Sequence, residues 1–277
     1  MNSDNGYPRD HISVSQINLY LMCPLKYRFT YVDQLPRPFK PAALAFGSAV
    51  HSAVAWWHRQ RMDGIDPEGE EVARIFCADF NAQKVDNITF KDGASKEALI
   101  ERGQRMLVAY LKEYQGGPVT SVELPFRVPL VDKETGETLE LPLDGVIDLI
   151  EEDDTVVELK TAARKFTLLD LTQHLQLTAY SYAYEWLYKR SPTLRFDCLL
   201  KTTRPRLESW QTERRQDDQV RFFHIAKAVT QAIKTKQYYP KPGWLCADCE
   251  YYVPCQKWRI NPTNGGQPVV RIKGGTR

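Results

Sequence analysis

The sequence predicts an α/β fold: an αβββαβ kernel with a helical insertion before it and a small cysteine module after it. Three observations carry this. Apolar residues recur at helical spacing between positions 42 and 114. From Val119 the pattern switches to strand-like alternation, broken later by one long helical stretch. After Tyr238 the chain becomes rich in Pro, Gly, Cys and aromatic residues.

Taken in order, Ser13 or Ser15 can cap a short helix over 16–22, closed by Pro24. The Pro-rich segment 35–41 reads as a turn. Leu44, Val50, Val54 and Trp57 line one face of a helix over 42–61. Pro67 opens another to about Lys84, and a third runs over 95–114 until Gly116-Gly117-Pro118. Strands are expected over 119–130 and 137–150, joined through Asp132-Lys133-Glu134-Thr135-Gly136, and over 155–160. A long helix over 168–189 leads to strands over 194–201 and 208–212, and a helix over 217–236. The tail 261–277 is expected to be disordered.

No apolar run approaches the roughly 20 residues of a membrane-spanning helix. The first ten residues are polar and hold no signal-peptide core, so a cytoplasmic protein without a membrane partner is expected. The net charge of +2 does not announce a nucleic-acid binder. Its local distribution says more: basic clusters stand at Lys26/Arg28/Arg37/Lys40, at Lys201/Arg204/Arg206, and at Lys257/Arg259/Arg271/Lys273/Arg277. Each alone reads as a solvated face; together, around an acidic centre, they suit a guided polyanion.

The acidic centre lies in residues 145–160. Asp148 interrupts Val146-Ile147 and Leu149-Ile150, while Glu158 and Lys160 interrupt Val156-Val157 and Leu159. Charge in a half-buried strand is costly unless paired or bound to a metal. Alternation puts Glu158 and Lys160 on one side of their strand, and the hairpin folds Asp148 back towards Glu158. Two carboxylates and an ammonium at one spot suit Mg²⁺ or Mn²⁺. The spacing alone equally allows a surface hairpin with an exposed ion pair.

The pattern G-x-x-D, about ten residues, then E-x-K resembles the PD-(D/E)xK nuclease superfamily. The wider chain resembles its RecB-type exonuclease branch, including CRISPR-associated exonucleases with an iron–sulfur cluster. The likeness runs from about Ile12 to Trp258, although Ile147 stands where the motif's proline would. It implies a restriction-endonuclease-like core with Asp148 and Glu158 as metal ligands and Lys160 as catalytic. Gln176 and Tyr180, four apart on one helical face, are similar to that branch's Q-x-x-x-Y motif and are implied to be catalytic as well. Gln173 and His174 are weaker candidates. Gly47-x-x-x-His51 is similar to the branch's Gly-x-x-x-His motif, so His51 is implied as a further metal ligand, with Gly47 permitting close helix packing. An imidazole ligand favours Mn²⁺-supported activity.

In a chain expected to be cytosolic, six cysteines read as thiols or metal ligands rather than disulfides. Cys77 and Cys198 sit in apolar periodic segments and read as core. Cys246-x-x-Cys249-x5-Cys255 can share one metal centre, with Cys23 as the best fourth ligand. The residues leave zinc and [4Fe–4S] open; the resemblance implies [4Fe–4S]. It also implies four regions: 1–118, helical, contributing Cys23 and His51; 119–236, the nuclease core; 237–260, the iron–sulfur module; and 261–277, a basic tail.

The function expected is therefore a metal-dependent DNA nuclease, an exonuclease of repair, recombination or CRISPR adaptation. Its partners would be single-stranded DNA or DNA ends, and a helicase or a recombination or CRISPR adaptation protein, since no G-x-x-x-x-G-K-[ST] loop is present. The alternatives are a non-catalytic DNA-binding clamp and a zinc-binding structural protein.

Overall fold

The computed structural model describes residues 6–83, 88–89 and 95–258. The tail over 261–277, Arg259 and Lys84 lie outside the described residues.

The α/β class is as expected, and a mixed sheet forms its centre. Strand β1 (Ile12–Ser13) leads into α1 (Val14–Met22), whose first turn is capped by Ser13 accepting from the Gln16 amide at 3.3 Å. A short α2 (Pro24–Tyr27) and one wide turn, Arg28–Val32, follow. The insertion is three helices, α3 (Ala42–Met62), α4 (Gly69–Ala82) and α5 (Lys96–Glu113), with β2 (Lys40–Pro41) and β3 (Ile88–Thr89) as a small separate ladder. Phe46, Val50, Val54, Trp57, Phe76, Phe80, Met106 and Tyr110 pack these helices against Leu159 and Leu199 of the sheet. Each such burial contributes about 1.5–3 kcal/mol, enough to hold the insertion on that face.

The sheet continues with β4 (Val119–Val128), β5 (Leu143–Glu151), β6 (Thr155–Ala162), β7 (Thr193–Leu200) and β8 (Arg206–Thr212). Pairing is antiparallel for β4–β5, β5–β6 and β7–β8, and parallel for β6–β7, which needs a crossover. That crossover is α6 (Leu168–Thr172) and α7 (Leu175–Tyr188). With α1 and α8 (Gln216–Lys234), α7 covers the second face, where Ile147, Val156, Leu177, Tyr180, Phe196 and Phe223 share one core. Among the described residues no helix is long and apolar enough to cross a membrane.

Three expectations need correcting. The helix over 168–189 is two helices, broken where His174 is extended at ψ 100°. The Arg214 guanidinium donates to the Leu171 carbonyl at 2.6 Å, the acceptor a continuous helix would offer residue 175. The strand over 137–150 begins only at Leu143, and β4 stops at Val128, because Pro129 and Pro142 carry no N–H for the ladder. Finally, β1 escapes the sequence reading: two residues pair parallel to Leu143 and Asp144 on β5.

The most consequential feature is a fork. Strands β5 and β6 pair only at Leu149–Val157 and Ile150–Val156 and then diverge, while β1 holds the far end of the same β5 edge. The segment of β5 between these contacts has β4 on one side and an opening on the other.

Candidate active site

The fork leaves the Leu159 amide without a strand partner, and the Asp148 carboxylate takes it, Oδ2 accepting at 2.9 Å. The other carboxylate oxygen faces Tyr180, whose hydroxyl lies 3.4 Å away. Asp148 thus stands at the crotch of the fork with a fifth of its side chain open to solvent.

Glu158, one residue before Leu159 on β6, is fully buried. Neither carboxylate oxygen has a hydrogen bond of ordinary geometry, although Oε1 abuts the Lys160 ammonium as an ion pair. Burial, and then the Asp148 charge, push the Glu158 carboxyl up to about 8, more than Lys160 can offset. Burial lowers the Lys160 ammonium, but the Glu158 charge outweighs it and the net shift is upward. A buried carboxylate whose ionisation is opposed by burial and by a neighbouring carboxylate's charge suits a hard divalent cation, whose charge would relieve that penalty.

Helix α7 supplies the next layer. Lys160 donates from Nζ to Gln176 Oε1 at 3.0 Å, Gln176 Nε2 donates to the Tyr180 hydroxyl at 2.8 Å, and that hydroxyl donates to the Val146 carbonyl at 2.5 Å. One chain of hydrogen bonds therefore links β6, α7 and the open edge of β5. The four-residue spacing of Gln176 and Tyr180 makes this possible, because it stacks them on the helix face turned to the sheet. Burial and the Glu158 charge raise the Tyr180 phenol well above its ordinary value, so it remains a donor.

His51 enters from the opposite face, on α3. Its Nδ1 is 4.0 Å from Asp148 Oδ2, with about a third of the side chain exposed. Its place deep in the cleft lowers its pKa, against the pull of Asp148, which favours the neutral imidazole that ligates metals. Gly47 lies over β6, where an added Cβ would sit 3.4 Å from Thr161 Oγ1, a snug but ordinary contact. Steric demand is harsher at Gly145, where a Cβ would lie 2.4 Å from Phe126 Cζ across the β4–β5 pair.

Asp148, Glu158, Lys160, Gln176, Tyr180 and His51 thus converge. Gln173 is exposed and His174 is turned away, against Phe166 and Phe196. Burial, with Lys160 and Arg214 nearby, takes the His174 pKa down to about 4. Two groups escaped the sequence reading because they belong to the backbone: the Leu159 amide and the Val146 carbonyl. A fork in a sheet has no local sequence signal.

Cys23, Cys246, Cys249 and Cys255, all free thiols, line one cavity of about 620 Å³ with Lys26, Trp244 and Tyr252. Cys23, Cys249 and Cys255 pack around Leu25, Phe29 and Tyr251, so the first and last parts of the described chain meet here. Among the described residues no group of three or more His, Cys, Asp or Glu side chains is already drawn together tightly enough to hold a metal. Cys198 is buried in the core, while Cys77 is only partly buried at the edge of the α3–α5 cluster. Of the first basic cluster, Lys26 pairs with Glu250 and Arg28 with Asp33.

A family model described as the PD-(D/E)XK nuclease superfamily matches residues 11–256. Among solved structures, a candidate exonuclease from Eubacterium rectale aligns over 96% of this chain and 94% of that chain, with a TM-score of 0.59 and 11% identity, a likeness of fold. A second, SSO0001, covers 84% of this chain and 92% of that chain at 13% identity and a TM-score of 0.33, which carries no argument. No curated protein matches the sequence.

Proposed function

The chain belongs to the PD-(D/E)XK nuclease superfamily, and on that premise we propose that it is a Mg²⁺- or Mn²⁺-dependent deoxyribonuclease of the RecB-type branch, working as an exonuclease on DNA ends. Asp148, Glu158 and His51 would hold the cation. The observation that carries this is Glu158: a fully buried carboxylate without a hydrogen bond of ordinary geometry, ion-paired with Lys160, beside a second carboxylate at the mouth of a sheet fork.

When bound, the cation supplies a water of lowered pKa and neutralises charge on the scissile phosphate. The protein's own groups do the positioning. Gln176 Oε1 and the Glu158 carboxylate hold the Lys160 ammonium, so its remaining N–H can donate to the attacking water or to a phosphoryl oxygen as charge develops there. Tyr180, anchored on the Val146 carbonyl, keeps Gln176 in the rotamer that receives Lys160. Asp148 is fixed by the Leu159 amide, so it need not reorganise when substrate arrives. Water's oxygen bonds to phosphorus, the phosphorus–oxygen ester bond breaks, and the leaving oxygen takes up a proton.

The reading extends to a structural [4Fe–4S] cluster held by Cys23, Cys246, Cys249 and Cys255. Its support is the shared cavity and the way those thiols join distant parts of the chain. The thiols would have to close in to ligate it. The pathway on this reading is DNA repair, recombination or CRISPR adaptation, with a helicase or adaptation protein as partner. A non-catalytic clamp gains no support, since each catalytic candidate is present and in contact with another.

The test is an end-labelled panel of single- and double-stranded DNA with 5′- or 3′-blocked ends, using anaerobically purified protein with Mg²⁺ and with Mn²⁺. Metal-dependent release of short products is expected, abolished by Asp148→Ala. No cleavage by the cluster-replete protein, or equal cleavage by Asp148→Ala, would sink the proposal. Iron and sulfide analysis with absorbance near ~400 nm tests the cluster; stoichiometric zinc without iron would replace it.

A further inference from the structure

One residue inside the sheet holds a backbone conformation that strands avoid. Among the described residues, five other than glycine have φ in the left-handed region. Four stand where such geometry is ordinary: Gln34 in a loop, Asp154 in the β5–β6 turn, Lys189 at the C-cap of α7, and Lys236 just past α8. The fifth, Glu123 at φ 50°, lies within β4. That conformation is costly for a residue with a Cβ and persists only where its surroundings hold it.

We propose that Glu123 is a positioning residue: its left-handed backbone diverts a carboxylate from Asp148 to Arg59, and that ion pair seats α3 so that His51 stays over the cation site. The proposal rests on the nuclease reading for the cation alone.

The register of β4 on β5 shows what is diverted. Val122 pairs with Leu149 and Leu124 with Ile147, but Glu123 and Asp148 between them do not pair. Each strand skips one residue here, so the register is kept and no bulge forms. Leu124 and Ile147 pack into the core beneath α7, so alternation turns Glu123 and Asp148 to the α3 face. In a regular ladder the two carboxylates would stand directly opposite each other, where like charges repel. The left-handed residue removes that opposition, and the Glu123 carboxylate pairs instead with the Arg59 guanidinium.

Arg59 is the outermost of three points at which α3 meets the fork. Gly47 lies against β6, where an added Cβ would sit 3.4 Å from Thr161 Oγ1. One turn on, His51 Nδ1 is 4.0 Å from Asp148 Oδ2 on β5. About two turns further, Arg59 reaches Glu123 on β4. The helix therefore meets β6, β5 and β4 in the order in which they lie in the sheet, with His51 between the two outer contacts. Apolar packing holds α3 on this face but is non-directional. The ion pair fixes where on β4 the far end of the helix rests.

The experiment titrates Mn²⁺ into DNA-free, anaerobically purified full-length protein by calorimetry. Both partners of the pair are half-exposed, so Arg59→Met and Glu123→Gln are each expected to weaken Mn²⁺ binding by about two- to fivefold. In a His51→Ala background the same substitutions should have no further effect, because they act through His51. A change within about 1.5-fold for Arg59→Met, or an equal loss with and without His51, overturns the proposal. Loss for Glu123→Gln but not for Arg59→Met makes Glu123 a direct ligand and overturns it as well. Urea denaturation tests the backbone: Glu123→Val should unfold at lower urea than Glu123→Gly, the reverse of the order in a regular strand. Valine as the more stable variant overturns the left-handed requirement. Wild type that binds Mn²⁺ but cleaves no DNA sinks the nuclease reading, and the His51 comparison still decides this one. Wild type that binds no Mn²⁺ overturns both.

Discussion

Replacing Arg195 by Met tests what keeps the fork closed at its base. Arg195 reaches from β7 across β6 to Glu151 on β5, donating from Nη1 and Nη2 at 2.8 and 2.7 Å, while Nε donates to both Asp197 oxygens at 3.1 Å. Both carboxylates are almost wholly buried, with 2% and 1% of their side chains exposed. This clamp sits where β5 and β6 still pair, so it opposes any spread of the fork towards Glu151. Methionine fills much of the volume but leaves two buried carboxylates without a counter-charge, although the Tyr114 hydroxyl still donates to Glu151 at 2.6 Å and Ser209 still bonds Asp197. Breaking a buried pair from one side costs about 3–5 kcal/mol. In a domain of this size that corresponds to a fall of roughly 6–20 °C in Tm. The pH dependence has a definite sign. Burial raises the Asp197 carboxyl even with Arg195 present, and without it the raise must grow. A carboxyl whose folded pKa lies above its unfolded value costs stability once it must ionise, so the penalty shrinks as pH falls through the folded pKa. Urea denaturation of wild type and variant at pH 8 and pH 5 reads this directly. A penalty under about 1 kcal/mol at pH 8, or one that grows at pH 5, would refute the reasoning.

Other consequences follow from the same geometry. Gln176→Leu cuts the link from Lys160 to Tyr180 without touching a proposed metal ligand; kcat should fall about 10- to 100-fold with little change in metal affinity, measured by titrating Mn²⁺ in the cleavage assay. His58, buried and 2.8 Å from the Tyr110 hydroxyl, has its pKa taken down to about 3 by burial and then by Arg61 and Arg195. Below pH 6.5 the unfolded chain takes up a proton that the folded one refuses, so about 2 kcal/mol of stability should be lost between pH 7.5 and 5; His58→Phe should remove that part of the slope in denaturation curves. Cys23→Ser should lower bound iron and loosen both distant chain segments together, seen as faster hydrogen exchange around Leu25 and Tyr251; unchanged iron content would separate Cys23 from the proposed cluster.

The sequence by itself determined what is written in short windows. Helical and alternating periods specified the α/β class, and the charges of Asp148, Glu158 and Lys160 stood out because strand alternation condemns them to partial burial. The spacing of Gln176 and Tyr180 placed both on one face of α7 wherever that helix went. What only the tertiary structure decided depends on partners far apart in the chain. Proline sets where β4 ends and β5 begins, yet nothing local tells β5 and β6 to part after two residue pairs, and the Asp148–Leu159 amide bond exists only because they do. The break between α6 and α7 comes from Arg214, more than forty residues downstream of the carbonyl it takes. His51 meets Asp148, Arg195 spans β6, and Lys201 rests on Phe46 through packing of the insertion against the sheet. Side-chain period is a property of neighbouring residues, whereas the meeting of charges is a property of how whole elements bury their apolar faces.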